Sequence, residues 1–332
     1  MSGPYEGPAA PARLPGSSGP GAAPDAGEAL EVVEYTDPLC PWAWGSEPAL
    51  RRLRRALAGR ARHRRVFGLL FEDEDDPAPD PAAETAWYAA RLAGIAAHTG
   101  APRAAELRWV AASSAPASLA AAAAELQGEQ VAERVLRRLR ETVFVLGEPA
   151  DTPARVRAAL HGVPGLDLDR LCADADGPAA RARIARDRAE TRRPVPEVVG
   201  LRADGPHPGA AKETEDGHRY ALPTLVFHGP AGRRVVPGWR PLPAYLAAAE
   251  AVCPGLRATV PEPPGPEPSV PSAEELLHRY RSLTVQDLPG SGGAAPRGAV
   301  EVSTGNGPLY LHPGEAAGSL LLAGRDPSPV RS

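Results

Sequence analysis

"VVEYTDPLCPWAWGSEPAL", residues 32–50, runs from β-branched and aromatic residues through Asp37-Pro38 to a cysteine, a proline and two tryptophans. Residues 30–36, "LEVVEYT", read as a strand closed by the Asp-Pro turn. From Trp44 onward Leu50, Leu53 and Leu57 recur at helical spacing with arginines between them, and Gly59 marks the stop. Cys40 thus falls between a strand and a helix. As N-cap it is followed by Pro41 in the first turn, where a missing N–H is not missed. Unpaired backbone donors and the positive end of the helix dipole favour thiolate over thiol at such a place, which makes Cys40 a candidate nucleophile.

Working outward, "RHRRVFGLLF" (62–71) reads as a second strand. The acidic stretch after it, "EDEDDPAPDP", reads as a solvated loop, because it has no Gly or His at ligand spacing. Residues 82–190 turn Ala- and Arg-rich, with helical patterns over 82–98, 102–112, 116–127, 129–146, 152–160 and 178–191. Leu136, Leu139, Val143 and Leu146 form one apolar stripe of the longest. A Pro/Gly-rich loop (192–217) leads to a strand over 219–228, a turn at 229–232, a strand over 233–236 and a helix over 241–252. The order is β-α-β, a helical block, then β-β-α.

The ends have another character. Residues 1–29 are Pro/Gly/Ala/Ser-rich with too few large apolar residues to pack, and read as a disordered tail without the features of a signal peptide. "PEPPGPEPSVP" (261–271) reads as a stiff linker. Residues 272–332 read as a small appendage with a disordered end: a helix over "SAEELLHRYRSLTVQDL" with Ser272 as N-cap, then a hairpin around Gly305-Asn306-Gly307. One helix and a hairpin make too little core to stand alone, so packing on the main domain is the plain expectation.

Composition excludes several classes. A net charge of −4 and pI near 6.1 point to neither nucleic acid nor a membrane surface, and no apolar stretch reaches the length of a membrane span. Lys is almost absent while Ala, Arg, Gly and Pro dominate, the mark of a GC-rich bacterial genome. Three cysteines far apart (Cys40, Cys172, Cys253) give no disulfide framework, and eight dispersed His give no zinc spacing. His228, at a strand end, reads as structural. These features suggest a soluble protein of a reducing, cytoplasmic compartment.

"TDPLCPWAWGSEPAL" resembles the active-site segment of DsbA-like thioredoxin-fold proteins, in particular the FrnE-like and ClpXP-adaptor-like branches, where Asp-Pro-x-Cys-Pro-Trp-x-Trp/Tyr is typical. "YALPTLVF" resembles the loop in which that family's cis-proline precedes a strand. The resemblance spans roughly residues 30–253 and implies an α/β thioredoxin fold, a domain over 30–260 with a helical insertion at about 76–191. It implies that Cys40 is the attacking cysteine and that Pro223 is the cis-proline facing it. Leu222 then offers its backbone to a bound peptide or thiol ligand, and Pro41, Trp42 and Trp44 flank the substrate. Ala43 stands where the family carries its resolving cysteine.

That departure disfavours dithiol oxidation, since Cys40 cannot form a disulfide with alanine, and neither Cys172 nor Cys253 is expected to reach it. One cysteine still suffices for mixed-disulfide exchange with a low-molecular-weight thiol as co-substrate and no bound cofactor or metal. The expected function is a monothiol oxidoreductase acting on protein or small-molecule thiols and disulfides. Two alternatives stand beside it: a non-catalytic adaptor that binds a protein client, and glutathione-type isomerase or transferase chemistry, whose members usually carry serine in place of Cys40.

Overall fold

The computed structural model describes residues 30–72, 78–256, 271–290, 294–316 and 319–322. The tail 1–29, the centre of the acidic loop, linker residues 261–270 and the end from 323 lie outside the described residues.

Strand β1 (Glu31–Thr36) pairs in parallel with β2 (Arg62–Phe67), and helix α1 (Pro41–Ala56) crosses between them. The helical block follows as α2 (Pro81–Thr99), α3 (Ala115–Ala124), α4 (Glu129–Glu141), α5 (Pro153–Leu160), α6 (Leu168–Asp176) and α7 (Pro178–Thr191). Next come a short hairpin of β3 (Lys212–Thr214) and β4 (Gly217–Arg219), then β5 (Thr224–Gly229), β6 (Gly232–Pro237) and α8 (Leu242–Val252). The main sheet has the order β2-β1-β5-β6, with β5 antiparallel to both neighbours. This is a thioredoxin fold carrying a helical insertion.

Alternation along β1 and β5 sends their side chains to two cores. Val32, Leu225 and Phe227 pack with Leu50, Leu53, Tyr245 and Val252 under α1 and α8. Val33, Tyr35 and Val226 pack on the other face with Cys40, Tyr220 and Leu222. The insertion has the largest core, in which α3 is buried along Ala117 and Ala120–Ala124. Its methyl side chains leave room for α4, α6 and α7 to pack around it.

The fold departs from the sequence reading in several places. Residues 102–112 are irregular, because their backbone is engaged from outside: Pro102 O accepts the Trp44 indole N–H at 2.8 Å and Arg108 N–H donates to Gly147 O at 2.9 Å. Helix α6 was not legible, being short, with Asp167 as N-cap accepting from the Arg170 N–H at 3.0 Å. The β3–β4 hairpin occupies the end of the stretch expected to be loop. Lastly, α4 passes into a π turn (Thr142–Leu146) rather than running on, and stops at Gly147 with φ 78°.

After the linker, α9 (Ala273–Tyr280) starts at a capping box of Ser272 and Glu275. The sequence extends this helix to Leu288, but Arg281 adopts φ 68° and ends it. Residues Ser282–Thr284 become β7, which joins β8 (Val300–Thr304) and β9 (Gly307–Leu311) in the order β7-β9-β8. Val302, Leu309 and Leu311 enter the insertion's core. Asn306 at the hairpin tip accepts from the Arg103 N–H at 2.8 Å and donates to Ala101 O at 2.9 Å.

An ionic cluster lies where the three parts meet. Glu47 of α1 pairs with Arg51 at 2.9 Å, and with Arg137 and Arg140 of α4 at 3.0 Å each. Glu141 takes Arg137 at 2.8 Å, and Arg138 reaches Glu315 of the C-terminal part at 2.9 Å. Ser282 of β7 donates its hydroxyl to Glu141 and accepts from Arg137. All these charged side chains are buried. Burial opposes the Glu47 carboxylate, but Arg137, Arg51 and Arg140 outweigh it and hold its pKa well below the usual range.

Candidate functional site

Register builds the site. Tyr35 of β1 lies opposite Thr224 of β5, so the chain leaving β1 and the chain entering β5 emerge side by side. The first carries Cys40 and the second Leu222-Pro223, whose peptide bond is cis. Cys40 is the N-cap of α1 with extended backbone, and Pro41 follows in the first turn. Its thiol donates to Leu222 O at 3.4 Å across 182 residues of sequence. Asp37 organises the turn before it, accepting from the N–H groups of Leu39 at 2.6 Å and Leu70 at 2.7 Å.

The sulfur is not poised as a thiolate, contrary to the expectation from the helix terminus. Cys40 is 2 % exposed, and burial pushes the thiol up to about 12. The N–H groups of Ala43 and Trp42 act against that rise, while the Asp37 carboxyl adds to it. Desolvation wins over the helix terminus. At neutral pH the closed site therefore holds Cys40 as the thiol. Alkylation of Cys40 in a Cys172→Ser/Cys253→Ser background should therefore quicken with pH throughout the range below about 12. A plateau at about neutral pH would contradict the burial argument. Because the folded value lies above the unfolded one of 9.0, this group's stabilising contribution holds below pH 9.0 and fades as pH rises toward 12.

Of the other candidates, Ala43 is fully buried beside Cys40 and Pro223 is buried opposite. Trp42 faces the site. Trp44 does not: its ring stacks on Phe144 at 5.9 Å, lies under the Arg137 guanidinium at 4.4 Å and anchors the insertion. Trp44 packs there rather than beside Cys40, because helical spacing turns residue 44 to a different face from residue 42.

His207, in a Pro/Gly-rich loop without periodicity, is a site residue that the sequence reading missed. Its ring stacks on Trp42 at 4.7 Å, and its Nε2 lies 2.9 Å from Leu222 O, the carbonyl that also takes the Cys40 thiol. A carbonyl only accepts, so Nε2 carries the proton. Burial lowers the His207 pKa to about 4, leaving the ring neutral at pH 7. His98 and Trp239 complete an aromatic cap, with ring centroids 4.9 Å apart and His98 5.7 Å from Trp42. The Trp239 indole N–H donates to Gly45 O at 3.1 Å. Gly45 itself must be glycine, since a Cβ there would sit 2.6 Å from Thr99 of α2.

A family model described as Thioredoxin matches residues 34–192, the span from β1 through the insertion. A curated relative, the ClpXP adapter protein SpxH of Shouchella clausii (strain KSM-K16), is 32% identical over 187 residues. Among solved structures, one from Nitrosomonas europaea described as a candidate protein disulfide isomerase superposes with a TM-score of 0.51 at 16% identity, covering 70% of this chain and 100% of that one. The chain has the thioredoxin fold of DsbA-like proteins. The match to SpxH covers 50% of this chain and 57% of the relative, so the chain spans little more than half of that protein's length. The cytosolic disulfide reductase DsbM of Pseudomonas aeruginosa superposes with a TM-score of 0.45 at 19% identity, covering 69% of this chain and 95% of that one.

That fold is of the thiol-disulfide oxidoreductase type. All three cysteines are free. Cys253 ends α8 in the core on the opposite face of the sheet from Cys40, and Cys172 lies on α6 beside Arg157. Among the described residues there is no group of three or more His, Cys, Asp or Glu that could hold a metal, and no helix long and apolar enough to cross a membrane.

Proposed function

We propose that this protein exchanges thiols and disulfides through Cys40 alone. The observation that carries the reading is the Cys40 sulfur at the start of α1, with the N–H groups of Trp42 and Ala43 on one side and Leu222–Pro223 on the other. The Cys40 thiol first gives its proton to solvent. The thiolate attacks one sulfur of a disulfide, an S–S bond forms to Cys40, and the departing thiolate takes up a proton. Ala43 holds no sulfur to complete the cycle. A low-molecular-weight thiol, as its thiolate, then attacks the mixed disulfide and restores the Cys40 thiolate, which is reprotonated. Protein or small-molecule disulfides of a reducing, cytoplasmic compartment are the substrates, and no bound cofactor is required.

Reduction of a model disulfide by wild type and Cys40→Ser, with and without added thiol, tests this. Wild type should turn over only with added thiol, and Cys40→Ser should fall to the uncatalysed rate. Full activity in Cys40→Ser would reject the proposal.

A second reading has its own support. A sulfur pushed up to about 12 suits a fold used for binding rather than chemistry, and the relative at 32% identity is described as a ClpXP adapter. In that reading the chain binds a protein client, and Cys40→Ser leaves client binding intact.

A further inference from the structure

Residues His207, Pro208 and Gly209 form a strap fastened across the chain that follows β6. Arg240 donates to His207 O at 3.1 Å and to Pro208 O at 2.9 Å. The two backbones touch so closely that a Cβ on Gly209 would lie 2.4 Å from Pro237 C, and one on Gly238 would lie 2.6 Å from His207 O. Both glycines also have left-handed φ, 83° and 73°. The strap's one inward side chain is the His207 ring, stacked on Trp42 and bonded to Leu222 O.

Cys40 and His207 therefore share a single acceptor. The carbonyl that holds the thiol proton is itself held by the imidazole, and the stack pins Trp42, whose residue is 8 % exposed, beside the sulfur. The charges that act most on the His207 ring are those of Lys212, Arg240 and Arg91, all cationic, which reinforces the neutral ring. Nothing in the pairing of β5 needs this contact, because the sheet's register is set from Thr224 onward.

We propose that His207 is a positioning residue that keeps the strap closed over Cys40, so that a reactant reaches the sulfur only when the His207–Leu222 bond and the Trp42 stack part together. The proposal deepens the exchange reading and rests on it for the meaning of opening. Opening supplies what the closed site lacks: water at the sulfur and a free Leu222 carbonyl. Access to Cys40 is thereby governed by a residue far from it in sequence and unrelated to the missing second cysteine.

The test is alkylation of full-length protein in the Cys172→Ser/Cys253→Ser background with iodoacetamide. The Cys40 thiolate displaces iodide, an S–C bond forms, and the thiol proton goes to buffer. His207→Ala should raise the rate at mildly alkaline pH by about tenfold or more and bring the pH at which the rate levels off downward. His207→Gln, which can still donate to Leu222 O, should restore much of the wild-type protection, whereas His207→Phe, which keeps only the stack, should not. Arg240→Gln releases the strap's carbonyls without touching the ring and should also quicken alkylation, which keeps the test open if His207→Ala fails to fold. Folded His207→Ala and Arg240→Gln variants with wild-type rates and pH profiles would overturn the proposal. Because alkylation needs no disulfide substrate, this result is independent of whether Cys40 performs exchange.

Discussion

Glu47→Gln is expected to lower the free energy of unfolding by about 3–5 kcal/mol. The carboxylate sits among three buried arginines, with Arg51 at 2.9 Å and Arg137 and Arg140 at 3.0 Å. Glutamine keeps the shape and removes the charge, leaving cations with no water to turn to. Glu141 compensates Arg137 and Arg138 in part, while Asp287 lies 3.4 Å from Arg51 and Glu34 lies 4.0 Å from Arg140, both farther than Glu47. The same cluster ties α1 to the insertion and, through Ser282 and Glu315, to the C-terminal part. Loss of Glu47 should therefore loosen all three. Urea unfolding should show a lower midpoint that added salt does not restore, since buried pairs are weakly screened. The sign of the pH dependence follows from the depressed pKa: the contribution is present above the unfolded value of about 4.5 and is lost as pH falls below it. A change under about 1 kcal/mol would show that the arginines find other partners.

Ala43→Cys is expected to change the kind of turnover rather than its rate alone. Positions 40 and 43 share the first turn of α1, where residues three apart are neighbours. A cysteine at 43 can attack the mixed disulfide on Cys40, so that an internal disulfide forms and the second half of the substrate leaves as a thiol. The variant should accumulate an intramolecular disulfide on oxidation. A single equivalent of disulfide should then be fully reduced without added small thiol, whereas wild type stops at the mixed disulfide. Position 43 is fully buried, so the added sulfur displaces neighbours slightly, a cost of the overpacking kind at about 1–3 kcal/mol. Thiol counting before and after oxidation decides it. A variant that folds but keeps two free thiols at 40 and 43 would count against the proposed geometry.

The parts of this chain that could be read in advance are those in which local signals agree. Strand β1, the proline-started α1 and the run "ALPTLVF" each carry period, boundary and residue type together, and they place Cys40 and Pro223. What could not be read depends on partners distant in sequence. Residues 102–112 look helical by composition, but Trp44, Gly147 and Asn306 engage the backbone of residues 101–108. Ser282–Thr284 looked like the continuation of α9 and is a strand because β9 lies beside it. Trp44 and Trp42 were indistinguishable as aromatic flanks until the helix turned one toward the insertion and the other toward His207. The acidity of Cys40 differs from what its helix position implies for a related reason. A helix terminus is visible in sequence, whereas the desolvation that outweighs it is a property of the assembled core. His207 lay hidden in a Pro/Gly-rich loop, where no periodicity points at a site. A lone histidine flanked by prolines, "GPHPG", was the one signal available.

The central claim is that one sulfur, Cys40, carries the exchange. The most direct measurement is the intact mass of the wild-type chain after exposure to a small-molecule disulfide, followed by peptide mapping, with Cys172→Ser/Cys253→Ser as the single-thiol reference. One adduct is expected on Cys40, persisting on removal of the reagent and released by added thiol, in both proteins. A wild-type chain modified only at Cys172 or Cys253, with the single-thiol reference left unmodified, would contradict it.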